Sequence, residues 1–284
     1  ILKAAQTNGC AKDLLVATDK DGETALHFVA RCGHAEAVDS ILKAAQTNGC
    51  AKDLLVATDK DGETALHYAA SDGYAEAVDS ILKAAQTSGC AKELLFAAMN
   101  VYGYTALHVA AINGHAQAVD SILKAAQTSG CEKDLLFATS NNGETALHKA
   151  AWKGYAQAVD SILKAAPTSG CAKDLLFATD RYGRTALYIA ALHGHAEAVD
   201  SILKAAQTNG CEKDLLVAAN EGGWTALHLA AEEGRTQAVD SILKAAQTSG
   251  CAKELLFAAD KDGETALRIA AQRGNAQVVD SILK

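Results

Sequence analysis

The sequence predicts an all-α solenoid of stacked helix-turn-helix units with an extra short helix in each. Three observations predict it. The phrase ILKAAQTNGCAKDLLVA begins at Ile1 and returns at Ile41, Ile81, Ile122, Ile162, Ile202 and Ile242, in steps of 40 or 41 residues. A period in this range marks stacked supersecondary units that share one continuous core. Inside the phrase, Val38, Ile41, Leu42 and Ala45 fall at i, i+3, i+4 and i+7, the apolar stripe of a helix. The chain is 49% hydrophobic but only 5% aromatic, which suits closely packed alanine-rich helices and argues against disorder.

The unit reads most clearly from Asp19 to Thr58. Asp19-Lys20-Asp21-Gly22 is a turn, short polar residues closed by a glycine that accepts positive φ. Thr24 caps a first helix that buries Ala25, Leu26, Val29 and Ala30. Cys32-Gly33-His34 ends it, with the glycine just past the helix. A second helix runs from about Ala35 to Ala45. The chain's single proline, Pro167, replaces a glutamine of the other copies, and the residue before a proline is pushed out of the α region. The second helix is therefore expected to stop near Ala165 or Ala166, and at matching places elsewhere. Cys50 to Ala57 reads as a short third helix with Leu54 and Leu55 facing inward.

The expected units are 19–58, 59–98, 99–139 with one inserted residue, 140–179, 180–219 and 220–259, between partial units 1–18 and 260–284.

Gly22-Glu-Thr-Ala-Leu-His27, then Ala30, Gly33-His34, Ala37-Val38 and Ile41-Leu42, resembles the ankyrin repeat, whose pattern is G-x-T-P-L-H-x-A-A-x-x-G-H before an apolar second helix. The motif recurs in seven segments, from Gly22 to Gly263. Alanine stands where that family prefers proline, which is favourable but dispensable in a first turn. Tyr188 and Arg268 replace the motif histidine in two copies. The units are longer than the family's usual ones, with the excess around GCAKDLL, and such long units resemble ankyrin arrays of intracellular bacteria.

No catalytic, cofactor or metal site is expected. His27, His67, His108, His148 and His228 hold the TALH position, where an imidazole can bond the capping threonine and tie neighbouring turns together. His34, His115 and His195 alternate with Tyr74, Tyr155, Arg235 and Asn275, which indicates turn packing rather than a catalytic base. Cys32-Gly-His34 has no accompanying C-x-x-C to complete a metal set. The acidic residues recur on solvent faces, no nucleotide loop occurs, and nothing supports an enzyme.

Net charge is −8 with both signs interleaved, unlike a nucleic-acid-binding face. No apolar run is long enough to insert in a membrane. Cys10, Cys50, Cys90, Cys131, Cys171, Cys211 and Cys251 form a ladder whose rungs should lie about 8–10 Å apart, beyond the ~7 Å reach of a disulfide. Reduced, buried thiols favour a reducing, cytoplasmic environment, with secretion still open. A second reading is that thiols near a helix start are somewhat reactive.

The second helix is nearly constant between copies. Variation concentrates in the turn tip, the residue before the capping threonine, the residue after the motif histidine, and the pair before the helix-breaking glycine. In ankyrin arrays these places line the fingers and the concave helix face that bind partners, so the resemblance implies a protein–protein interaction scaffold.

The tips read DKDGE in the first two copies and the last, but the middle copies turn apolar: Met99-Asn-Val101-Tyr102-Gly-Tyr104 carries the insertion. Ile112, Trp152 and Leu192 share one position in successive copies and would form a stripe on stacking, with Tyr182 and Trp224 as aromatic fingertips. Exposed apolar stripes mark interaction sites, and Tyr and Trp are enriched at hot spots. Chance drift between duplicates is the competing reading.

The alternative function is structural. Ile1, Leu2, Ile282 and Leu283 are ordinary interior residues of the phrase, where solenoids usually carry polar caps. Such ends fit either a segment of a longer array or copies stacking head to tail into a filament.

Overall fold

The computed structural model describes residues 11–167 and 170–284. Ile1, Leu2 and Cys10 lie outside the described residues. The chain divides into two compact units, residues 1–141 and 142–284.

In the first unit the first helices of the repeats are Ala25–Arg31, Ala65–Ser71 and Ala106–Ile112, packed side by side in one layer. The second helices, Ala35–Thr47, Ala75–Thr87 and Ala116–Thr128, form the layer behind. Short third helices, Ala11–Val16, Ala51–Leu55, Ala91–Leu95 and Glu132–Leu136, pack against the second.

The second unit repeats this order. Its first helices are Ala146–Lys153, Ala186–His193, Ala226–Glu232 and Ala266–Arg273. Its second helices are Ala156–Ala165, Ala196–Thr208, Thr236–Thr248 and Ala276–Leu283, and its third helices are Ala172–Leu176, Glu212–Val217 and Ala252–Leu256. Among the described residues no helix is long and apolar enough to cross a membrane.

The core follows the constant letters. Leu26, Leu54, Leu55, Leu66, Ile81, Leu107, Ile122 and Leu147 are fully buried. Ala25 is exposed and Val29 half-buried, unlike the expectation, whereas the matching Ala65, Ala106 and Ala146 are buried. Alanine at these places lets helices approach closely: Ala65–Ser71 packs between the first helices Ala25–Arg31 and Ala106–Ile112, whereas Ala25–Arg31 packs on Ala65–Ser71 alone among the described first helices of its unit.

Pro167 shortens only its own helix. That helix ends at Ala165, while the others run on to Thr47, Thr87, Thr128, Thr208 and Thr248. Proline removes one backbone donor, and glutamine at the same place keeps it. Ala166 itself stays α-helical, at φ −58° and ψ −38°, so the steric push on the pre-proline residue is overridden where the last turn is packed.

The motif histidines are the polar staples of the fold. The Thr24 N–H donates to His27 Nδ1 at 3.1 Å, and the Thr24 hydroxyl lies 2.8 Å from the same nitrogen. Thr24 in turn accepts the N–H of His27, a capping box with histidine in the place usually held by Glu or Gln. Since Nδ1 accepts, Nε2 carries the proton and donates onward, to the Ala57 carbonyl at the end of its own copy at 3.1 Å and to the Glu63 carbonyl of the next copy at 3.2 Å. His67 reaches the Tyr104 carbonyl at 3.1 Å, and in the second unit His148 reaches the Arg184 carbonyl at 3.0 Å. Burial lowers the pKa of His27, His148 and His228, and that of His67 to about 4, which keeps this tautomer neutral.

The residue after the helix-breaking glycine also ties copies together. His115 donates to the Ser71 carbonyl at 2.9 Å, His195 to the Trp152 carbonyl at 3.0 Å, and Arg235 to the Leu192 carbonyl at 3.2 Å. The glycine is doubly required. Gly154 sits at φ +75°, and a Cβ on it would lie 2.4 Å from the His195 ring.

The cysteines from Cys50 to Cys251 are free and buried, and Cys32 is half-buried. Burial raises the thiol pKa of Cys50, Cys90, Cys131 and Cys211, which disfavours the reactive thiolate. The recurrent surface charges of the third helices form ladders of exposed pairs. These are Lys12–Asp53, Lys52–Glu93 and Lys92–Asp134 in the first unit, and Lys173–Asp214 and Lys213–Glu254 in the second.

Candidate interaction surface

The turns between copies are hairpin fingers. An aspartate at the start of the turn folds it: Asp19 Oδ1 accepts from the N–H groups of Asp21 and Glu23 at 2.9 and 3.0 Å, and Asp180 Oδ1 from Tyr182 and Arg184 at 2.8 and 3.0 Å. Neighbouring fingers are joined by main-chain bonds, such as Asn100 N–H to the Asp61 carbonyl at 2.9 Å and Arg181 N–H to the Asn142 carbonyl at 3.1 Å. Side chains at the tips are therefore presented from a fixed backbone.

In the first unit the inserted copy places Val101 and Tyr102 in solvent, 62% and 55% exposed. The Tyr102 ring stacks on Tyr104 at 5.2 Å, and Tyr104 stacks on His108 at 5.8 Å. Tyr104, Met99 and Ile112 are half-buried.

In the second unit Trp152 is 38% and Tyr182 55% exposed, while Leu192 is half-buried. Trp224 is also half-buried, 6.1 Å from the His228 ring, and thus lies at the base of its finger rather than at the tip. The position before the capping threonine points back over the first helix, where the ring gains a packing surface. Of the expected end residues, Ile282 is half-buried and Leu283 exposed.

The residue after the motif histidine is less accessible than its variability implies. Val109, Lys149, Ile189, Leu229 and Ile269 are buried, and only Phe28 stands clear, 59% exposed. Variation there is mostly repacking between first helices. Lys149 is held in this buried position by an ion pair with Glu144.

Charge partners of the aromatic residues were not visible in the sequence. Lys153 Nζ lies 4.4 Å from the centre of the Trp152 ring and Lys149 Nζ 5.6 Å. His193 meets the Trp152 ring edge-on at 6.4 Å. The Arg181 and Arg184 guanidinium groups lie 4.9 and 4.8 Å from the Tyr182 ring centre, and Arg181 also donates to the Tyr182 hydroxyl at 2.7 Å. Arg184 is anchored by the buried Asp180 carboxylate at 2.6–2.7 Å. The Arg184 cation, with the turn's N–H groups, outweighs burial and lowers the Asp180 pKa. The recoverable signal was offset alone: a basic residue one after Trp152, and basic residues on either side of Tyr182-Gly183.

In the leading copies the equivalent groups are turned on each other. Arg31 pairs with Glu23 and lies 4.3 Å from the Tyr68 ring centre. The Tyr68 hydroxyl donates to Glu23 at 3.0 Å and Asp59 at 2.7 Å. Asp59, Asp61 and Glu63 bring carboxylate oxygens within 4.8 Å of one another. Asp59 is already engaged by Tyr68 and by the N–H groups of Asp61 and Glu63.

Stacked helical pairs with fingers of fixed backbone define a repeat scaffold. A family model described as ankyrin repeats in three copies matches residues 1–88, 81–174 and 163–249. The chain belongs to the ankyrin-repeat family. Its fold is similar to the crystal structure of the ankyrin repeat domain of Bcl-3, a unique member of the IkappaB protein family. That likeness has a TM-score of 0.69 and 23% identity over 93% of this chain and 100% of that one. At that identity the likeness concerns the fold alone. No curated protein matches the sequence. The ankyrin-repeat fold is that of a non-enzymatic interaction module, and the chain is accordingly a protein–protein interaction scaffold.

Proposed function

We propose that this scaffold binds a protein partner through the fingers and first-helix faces of its middle copies. The contact groups are Met99, Val101, Tyr102, Tyr104 and Ile112 in the first unit, and Trp152, Tyr182, Leu192 and Trp224 in the second. The observation that carries the reading is the exposure of Trp152, at the end of its first helix, and of Tyr182, at its fingertip, each ring set against basic side chains. Amphipathic rings held by cations rather than packed away are the side chains that dominate binding energy elsewhere.

The test uses peptides enriched from a random display library on the immobilised chain. Alanine at Trp152 and Ile112 together should weaken their binding about tenfold or more, with an unchanged urea midpoint. Unchanged affinity would overturn the assignment.

A further inference from the structure

The first helices and fingers of residues 140–153 and 180–193 carry four basic residues, Lys149, Lys153, Arg181 and Arg184, against two acidic ones, Glu144 and Asp180. Both acids are buried, and both are consumed by ion pairs with Lys149 and Arg184. The two remaining cations, Lys153 and Arg181, are exposed, and their close neighbours are the Trp152 and Tyr182 rings. The surroundings of His193 agree. Burial first, then the positive charges of His195, Arg235 and Arg184, lower its pKa, opposed by Glu233. This face is thus locally cationic on a chain whose net charge is −8.

We infer that the second unit's aromatic face takes an acidic peptide segment: Asp or Glu side chains on Lys153 and Arg181, with an apolar residue set against Trp152 and Leu192. This rests on the proposed use of the middle copies as the binding face. Charge complementarity selects the occupant. The exposed Lys153 and Arg181, whose neighbouring acids Glu144 and Asp180 are buried and paired, attract an acidic segment on a chain that is net acidic. The cations are already seated against aromatic rings, which limits the rotamer freedom lost on binding. The first helix Ala146–Lys153 is about 12 Å long at 1.5 Å per residue, so roughly four residues of extended chain, at about 3.3 Å each, would run along it.

The experiment is panning of a random peptide display library on the intact chain, followed by fluorescence anisotropy with labelled synthetic copies of the enriched peptides. Enriched peptides should be rich in Asp and Glu around an apolar residue. The double variant Lys153→Glu/Arg181→Glu should bind them roughly tenfold or more weakly. The same charge change in the leading fingers, Lys20→Glu/Lys60→Glu, should alter affinity less than about twofold. Circular dichroism verifies that each variant is folded. Raising ionic strength from about 0.01 to about 1 M, which shortens the screening length from about 30 to about 3 Å, should weaken binding to the wild type but far less to the double variant.

The inference is overturned if no acidic peptide is enriched, or if the middle-copy reversal leaves affinity unchanged. Equal loss in the leading-finger control overturns it too, as does tighter binding of an oligothymidylate than of the acidic peptide. Loss with Trp152→Ala but not with charge reversal removes the acidic partner and leaves the binding face standing. No loss with either removes both.

Discussion

The leading fingers and the middle fingers are built on nearly the same helices yet spend their side chains differently. In the leading copies, residues 19–32 and 59–72 carry seven acidic residues against three basic ones. Their one tyrosine on the first-helix face, Tyr68, is half-buried and tied down by Glu23, Asp59 and Arg31. In the middle copies the acids are buried and paired, and the rings and spare cations face solvent. A repeat scaffold can therefore close one stretch of its own surface and open another without altering the buried letters. Identity of fold and difference of face are independently adjustable because the first depends on Leu, Ala and the Thr–His box, and the second on the finger and the end of the first helix.

The largest effect should be indifferent to this contrast. Leu66 and Leu147 hold the same motif position and both are fully buried. Alanine at either should cost about 3–5 kcal/mol in urea unfolding. A cost at one site less than half that at the other would show that the scaffold is not shared.

Acid should act next, and unequally. Unfolded imidazoles take up protons below pH 6.5, whereas buried His67 stays neutral down to about 4, so stability is full above 6.5 and falls through that window. His67 alone contributes on the order of 3 kcal/mol. His67→Asn should flatten the slope of stability against pH, measured by urea titration between those values. In the second unit Tyr188 and Arg268 take the histidine place in two copies and cap with a threonine bond alone, at 3.3 and 3.4 Å. Amides around Thr185 and Thr265 should therefore show a weaker acid dependence of hydrogen exchange than those around Thr64.

A smaller difference separates the two arginines that flank tyrosines. Arg184 faces an Asp180 side chain with no solvent exposure, so Arg184→Met should cost about 2 kcal/mol. Arg31 is more exposed than Arg184, and Arg31→Met should cost at most about 1 kcal/mol. Equal costs by urea unfolding would mean that the leading pair is as structural as the middle one.

The fold was legible in the sequence because it depends on constant letters at a constant spacing. The caps, the glycine breaks and Leu54 and Leu55 of the third helix lie where the pattern places them. Helix ends were less legible. Pro167 reports only on its own copy, and glutamine elsewhere lets the second helix continue to the threonine.

Half of the candidate site was legible: residue type and repeat position were enough to single out Tyr102, Trp152 and Tyr182 as accessible. What ties the Tyr68 ring down is its contact with Glu23 of the preceding copy, and a linear reading does not contain that contact. The same limit hid the burial of Lys149 and the backward turn of Trp224 over its helix.

The most direct measurement is a side-by-side anisotropy titration of one enriched peptide against two double variants, Trp152→Ala/Tyr182→Ala and Phe28→Ala/Tyr68→Phe. If the middle copies are the binding face, the first pair weakens binding about tenfold or more, or about 1.4 kcal/mol, and the second leaves it within about twofold. Equal loss in both, or loss only in the leading pair, would contradict the account.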